Sequence, residues 1–497
     1  MRGGLAAVVG LAAAELVAGA IQTGRSPVVA VADAVVRTAP PAWERSVIEA
    51  LGTGDKPALI ALVLLVTIAL GALAGSLPRV TGAVIVVAVA TVGALAALAE
   101  PDAPASHAVA PVVGGLVAAF LLEVLRRAVG DHRDAPLPPP GADRRRFLLA
   151  GSTAALFAAT GASVGRTLQG RTSAAASRAA VRLPAPREAL GSAPAPGGVA
   201  TPGLSPFLTP NADFYRIDTA LTVPQVEAET WALTIDGMVA NPRRYTFDDL
   251  VDRPLVEREV TLACVSNGVG GDLVGNARWL GVPLAQLLDE AEPDANADQV
   301  VGRSVDEFTA GFPLAAARDG RTALVAVGMN GEPLPLRHGF PARLVVAGLY
   351  GYVSATKWLE QIEVTRFDAY TPYWVQRGWA ERGPIKVSSR IDTPRKRVEE
   401  GTVPVAGVAW APSRGIESVE VRVDEGRWQA ATLAPAGGVD TWRQWRWDWR
   451  ATPGDHELQV RATTSDGERQ KGAEHEPFPD GATGWHTVRV KVSKRSA

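Results

Sequence analysis

Apolar positions crowd into the first third of the chain. Residues 57–75 (PALIALVLLVTIALGALAG), 79–99 and 108–125 are almost unbroken apolar runs, and residues 4–21 form a fourth, interrupted by Glu15. A fifth run, 147–165, is less apolar and rich in small residues. Each approaches the roughly 20 helical residues that cross the hydrocarbon of a bilayer, so residues 1–166 are expected to form about five membrane helices. The loop before the fifth run carries Arg126, Arg127, Arg133, Arg144, Arg145 and Arg146, whereas residues 100–107 hold no Lys or Arg. That bias places the arginine-rich loop in the cytoplasm and everything after residue 166 outside.

Beyond the last run the texture changes twice. Residues 167–203, rich in Ala, Ser, Pro and Gly without any apolar period, read as a linker. From residue 204 to 372 short β-type runs (WALTID, EVTLACV, TALVAVGM, ARLVVAG) alternate with turn residues and with the helix-like stretch RWLGVPLAQLLDEA, which predicts a mixed α+β domain. A connecting segment, 373–400, leads to residues 401–497, where apolar and polar residues alternate strand after strand, the pattern of an immunoglobulin-like β-sandwich. In WRQWRWDW, Trp445, Trp447 and Trp449 fall on one strand face, which marks them as sandwich core or interface.

Composition narrows the functions available. A net charge of −2 and the lack of a basic helix downstream argue against nucleic acid as a partner. One cysteine in 497 residues rules out an internal disulfide, a four-cysteine iron–sulfur cluster and a two-cysteine haem attachment. Of the six histidines only His107 and His132 lie near the spans, at their ends, so no bis-histidine haem is expected inside the bundle. The lone thiol, Cys264, sits in TLACVSNGVGGDLVGNARWLG. By itself it reads more readily as an inert core cysteine than as a soft metal ligand beside a glycine loop.

Two further stretches decide between those readings. SPFLTPNADFYRID (205–218), VGMNGEPLPLRHGFPARLVVAGLYGYVSATKWLEQIEV (327–364) and the cysteine loop together resemble the sulfite oxidase family of molybdenum enzymes over residues 205–492. The resemblance implies a fold class of N-terminal transmembrane helices, then an α+β molybdopterin-binding domain, then an all-β dimerisation-type sandwich. It implies a molybdenum–molybdopterin cofactor, with Cys264 as the metal ligand. Asn211, Tyr215, Arg216, Asn267, Thr309, His338, Arg343, Ser354 and Lys357 fall in the stretches that hold the pterin and its phosphate. A pterin brings its own dithiolene sulfur, so one protein thiolate completes the site. The phosphate calls for cations such as Arg343 and Lys357, and for turn amides such as those of Gly268, Gly270 and Gly271.

The same resemblance puts Arg278 near the substrate oxygen as a charge stabiliser, against the plainer reading of a structural salt bridge. Two departures touch the substrate. Sulfite-oxidising members follow the cysteine with an asparagine and an arginine pair, where this chain has Asn267, Gly268 and Val269; their pocket tyrosine aligns with Trp379. The expected chemistry is two-electron oxygen-atom transfer on a small S- or N-containing substrate, either sulfite oxidation or S-oxide and N-oxide reduction. Electrons would pass to or from a separate carrier, a cytochrome or a quinone-linked subunit. A homodimer is implied by the resemblance alone. Arg144 and Arg145 followed by Phe147 and Leu148 resemble a twin-arginine export signal, which suits a domain loaded with cofactor before export. The competing class is a non-enzymatic, membrane-anchored adhesion protein working through its C-terminal sandwich.

Overall fold

The computed structural model describes residues 2–20, 26–40, 43, 47, 54–99, 103, 105–129, 174–195 and 197–495. The fifth apolar run and the twin-arginine stretch lie outside the described residues. The chain divides into two compact units, one formed mainly by the N-terminal helices and one by Ser177–Thr219 with Pro224–Ala497.

In the first unit, four helical segments are long and apolar enough to cross a membrane: Arg2–Ala20, Asp55–Ser76, Arg79–Leu98 and Ala105–Arg127. Their packing is inverted relative to a water-soluble bundle. Bulky Leu65, Val84, Val87, Leu95, Leu116 and Phe120 face outward, while Ala6, Ala13, Ala74 and Ala97 are buried. Small residues let the helix backbones approach closely, as lipid-embedded helices do. A Cβ at Gly10, for example, would lie 2.6 Å from the Gly114 carbonyl oxygen. The polar stretch after the first run is not wholly a loop. It contains a helix, Pro27–Thr38, capped by Ser26 through Val29 N–H and started by a proline at its first position, a signal the hydropathy pattern hides.

The second unit holds two β-rich layers. In chain order the first ten strands are β1 (Ala232–Gly237), β2 (Arg243–Thr246), β3 (Val256–Ala263), β4 (Val274–Pro283), β5 (Gln299–Ser304), β6 (Thr309–Pro313), β7 (Ala323–Met329), β8 (Glu332–Pro333), β9 (Arg343–Val346) and β10 (Leu359–Thr365). They form one sheet of order β2-β1-β10-β5-β6 and another of order β3-β4-β7-β8, with β9 paired to β7. The α+β expectation holds, with one correction inside it. RWLGVPLAQLLDEA is strand as far as Pro283 and helix only over Leu284–Ala291. Its first half is buried on both faces, which erases the alternation that marks a strand.

Two boundaries also move. Residues 177–203, read as a spacer, are strapped onto the sheet. Ser177 Oγ donates to Glu229 (2.6 Å), Arg178 donates to the Pro333 and Leu334 carbonyls, and Glu188 bridges Val256 on the free edge of β3. An extended strap needs no apolar period; it works by pairing and by covering an edge strand. The connecting segment 373–400 contains β11 (Ser388–Thr393) and β12 (Arg397–Glu399), which belong to the C-terminal sheets.

Those sheets are completed by β13 (Gly401–Trp410), β14 (Ile416–Val423), β15 (Gln429–Ala430), β16 (Thr432–Leu433), β17 (Arg443–Ala451), β18 (Gly454–Thr464) and β19 (His486–Ser493). Their orders are β11-β13-β17-β16 and β12-β19-β18-β14-β15. Inward side chains of both sheets share one core that includes Ile391, Val405, Val421, Trp445, Trp449, Leu458, Val460 and Val490, with Trp447 packed partly buried against it. The indoles on one face of β17 are therefore core. Replacing fully buried Trp445 by Ala should cost about 3–5 kcal/mol, read as a lowered denaturant midpoint.

Candidate active site

Strand β3 ends one residue before Cys264 and β4 begins at Val274, so the thiol heads the loop that joins two antiparallel neighbours. The loop closes at its base where Cys264 N–H donates to the Leu273 carbonyl (2.9 Å). Asn267 closes it again. Its side-chain oxygen accepts Leu273 N–H (2.9 Å), and its own N–H donates to the Cys264 carbonyl (3.1 Å). Cys264 is 8% exposed. Burial pushes its thiol pKa up, opposed by the N–H and hydroxyl of Ser266, the charge of Lys357 and the N–H of Val265. Everything that opposes burial here favours the thiolate, the form that binds a metal.

Aromatic rings wall the neighbourhood. Phe214 stacks on Tyr215 with centroids 5.3 Å apart and stands edge-on to Trp279 and His338. A Cβ at Gly275 would fall 2.8 Å from the Phe214 ring, so this position of β4 must be glycine for the ring to sit there. The Arg343 guanidinium lies over Trp279, 5.0 Å from the ring centroid. Burial, with a smaller contribution from nearby Cys264, raises the hydroxyl pKa of Tyr215 and pushes that of Tyr350 to about 12.

The charges are unusual. Arg343 is 5% exposed and donates only to carbonyls: His338 (3.1 Å), Ala355 (3.3 Å) and Leu344 (3.4 Å). No carboxylate among the described residues pairs with it, and burial pulls its pKa down to about 10. Lys357 Nζ donates to the Ile217 carbonyl (2.9 Å) and Asp218 (2.8 Å); burial lowers its pKa to about 8 while Asp218 holds it up. Asp218 is shared, because Arg216 also donates to it (2.7 Å). His338 is buried, with Nε2 2.9 Å from the Asn211 carbonyl and 3.3 Å from Arg337 Nε–H, between an acceptor and a donor. Burial lowers its pKa to about 4 and keeps it neutral. An isolated buried cation is expensive unless an anion joins it. One soft sulfur donor, an uncompensated guanidinium and an N–H-bearing loop therefore fit a negatively charged ligand that carries a soft metal.

The remaining expected residues are placed as follows. Asn211 Nδ2 donates to Glu332 (2.5 Å) and its oxygen accepts from Asn330 (2.8 Å), which fixes the carbonyl that meets His338. The hydroxyl of Ser354 turns back to the Leu349 and Tyr350 carbonyls. Thr309 Oγ accepts from the Tyr370 hydroxyl (3.2 Å) and Tyr373 N–H (3.1 Å) and so anchors the chain after β10. Trp379 packs with Tyr352, Trp374 and Phe478, and its buried indole N–H has no partner among the described residues.

Arg278 is not brought to this cluster. Cross-strand pairing sets it opposite Glu259, on the sheet face of Thr261 and Asn276, whereas Trp279, next in the chain, turns to the opposite face where Arg343 lies. Its guanidinium is taken up by Glu259 (2.6 Å) and the Gly191 carbonyl (2.7 Å). The plainer reading of a structural salt bridge describes it. Sequence reasoning also passed over Ser266, Phe214, Trp279 and Tyr350. Ser266 stood two residues from the thiol in ACVSN, and Tyr350 stood in GLYGY.

The family described as Oxidoreductase molybdopterin binding domain matches residues 220–374. Mitochondrial sulfite oxidase of Homo sapiens is 28% identical over 353 residues, 58% of this chain and 62% of that protein. The uncharacterized oxidoreductase YuiH of Bacillus subtilis is 33% identical over 162 residues, 32% of this chain and 78% of that protein. The chain spans only 52–62% of the length of the primate and rodent sulfite oxidases it matches. The crystal structure of the sulfane dehydrogenase SoxCD from Paracoccus pantotrophus aligns with a TM-score of 0.51 at 22% identity, covering 58% of this chain and 82% of that one, a likeness of fold.

The buried imidazole makes stability depend on acid. In the folded chain His338 titrates near pH 4, against about 6.5 when unfolded, so the unfolded state binds more protons between those values. Stability is full above pH 6.5 and falls as pH drops toward 4, by about 2–3 kcal/mol from this group. Urea midpoints at pH 7.5 and 4.5 on the detergent-solubilised chain should show that loss together with a similar one from His486, whose pKa burial also lowers to about 4, and His338→Gln should remove only the His338 share.

Proposed function

The chain belongs to the sulfite oxidase family of molybdopterin oxidoreductases, and from that membership we propose that it is a membrane-anchored enzyme of oxygen-atom transfer on a small sulfur or nitrogen compound. The observation that carries the reading is the buried, carboxylate-free Arg343, which acts together with the buried thiol of Cys264 on the hydroxyl of Tyr215. A molybdenum–pterin bound there supplies the two-electron chemistry. Cys264 Sγ is its protein ligand, and Ser266 and Lys357 favour the thiolate. Arg343 and Lys357 would hold the cofactor's phosphate. Neutral His338 holds the Asn211 carbonyl and adds no charge, so affinity for the anion rests on the two cations.

For the substrate, the proposal gives Arg278 no role, since Glu259 already neutralises it. Tyr350 takes the place that Trp379 cannot fill. Its hydroxyl lies near Cys264, and with a pKa near 12 it stays protonated and able to donate to a substrate oxygen. No arginine follows Asn267 in the thiol loop, so a dianion is held less strongly than in a sulfite-oxidising relative. That favours S-oxides and N-oxides over sulfite. The C-terminal double sheet, with its shared core, is proposed to be an immunoglobulin-like dimerisation domain. The N-terminal helices would anchor the enzyme, with the catalytic domain on the extracytoplasmic side and electrons exchanged with a separate carrier.

Two experiments test this. Protein from a molybdate-supplied host should contain about one molybdenum and one pterin per chain, with both strongly reduced in Arg343→Met; metal-free folded protein would refute the assignment. A panel assay with artificial electron donors and acceptors should favour S-oxides or N-oxides over sulfite. Gly268 is exposed, and an added Cβ there meets nothing within 4 Å, so Gly268→Arg can be accommodated. It should lower the KM for sulfite by roughly tenfold, the worth of one charge-assisted contact. An unchanged KM would show that the missing cation does not set the preference.

A further inference from the structure

The thiol loop is held from outside by the C-terminal sheets. Gly271 carbonyl accepts from Arg390 Nη1 (2.8 Å), on β11. The rest of that buried guanidinium is fixed by Asp392 (2.7 Å) and Ser205 (2.9 Å), so it cannot follow the loop if the loop moves. Next to it, Gly270 has φ of +74° and lies flat against the His486 ring; an added Cβ would come within 2.0 Å of it. The ring is itself locked, since Nδ1 accepts Ile391 N–H (2.9 Å). Val269 lies against Gly484, where an added Cβ would stand 3.1 Å from its side chain. Three consecutive residues of the loop thus rest on one rigid wall of the second domain.

We propose that Arg390 and His486 are positioning residues that set the Cys264 loop for ligation, so that the catalytic domain takes up its cofactor only when the C-terminal sandwich is folded against it. The inference rests on the cofactor assignment above, but it concerns where the loop is held, not what binds. The wall touches the Gly271 carbonyl, the Gly270 Cα and the Val269 side chain but not Cys264, so it fixes the path of the loop while leaving the thiol free. A loop without the wall keeps its internal closure by Asn267 and loses only its register against the pocket.

Because Cys264 is the only cysteine, its alkylation by iodoacetamide reports this one site in the full-length, detergent-solubilised chain purified without cofactor. Arg390→Met should raise the alkylation rate by roughly ten- to a hundredfold, the range for one lost contact to a charged group, and Gly270→Ala, which alters no residue of the sandwich, should raise it in the same direction by forcing the loop off the His486 ring. Both should lower molybdenum per chain when expressed with molybdate, with tryptophan fluorescence reporting an intact sandwich. Arg390→Lys, which keeps a donor for Gly271, should recover part of the protection. Arg390→Met paired with Asp392→Asn removes the carboxylate left unpaired and should behave as Arg390→Met alone. Wild-type alkylation rates in Gly270→Ala and Arg390→Met would overturn the proposal while leaving molybdenum content, and the cofactor reading, intact. Metal-free wild-type protein would sink the cofactor reading instead.

Discussion

A guanidinium withdrawn from water and from every carboxylate is one of the costlier groups a fold can hold, because desolvation is not repaid by a partner. Arg343 is in that state. Carbonyls at 3.1–3.4 Å and the face of Trp279 are all the described structure offers it. Most of the catalytic domain's local geometry serves to hold it there. Strand β9 delivers it beside β7, β4 presents Trp279 on the correct face, and the glycine at 275 clears space for Phe214 behind the indole. A site strained in this way is stabilised by an anion, and the lone thiol nearby specifies which kind.

How much of this could be read from the chain differs by residue. Cys264, His338, Arg343 and Lys357 each lie in a short motif with its neighbours, and the fold gathers them around Phe214, Tyr215 and Trp279. Arg278 was misread because a motif says which residues are adjacent in sequence, whereas a strand sends adjacent side chains to opposite faces. Register against Glu259 decides the matter, and register is set by pairing partners that no local pattern contains. The strap over residues 177–203 was hidden for a related reason. It is held by backbone pairing and single anchors such as Arg178, not by an apolar period. The helix Pro27–Thr38 announced itself through Ser26 and Pro27, signals masked by the stronger apolar runs on either side.

The two layers of the second unit divide the work. The catalytic sheets supply the thiol, the cations and the aromatic wall, and the C-terminal sheets bear on the outer side of the thiol loop through Arg390 and His486. The loop tip is correspondingly free of side chains that would commit it to one substrate. At Gly268 an added Cβ would meet nothing within 4 Å.

The central claim is that Cys264 gives the metal its one protein sulfur. Molybdenum K-edge X-ray absorption on the wild type and on Cys264→Ser tests it most directly. The account predicts one sulfur neighbour fewer around molybdenum in the variant, with the metal still retained in part by the cations that hold the pterin. Identical sulfur counts in the two proteins would contradict it.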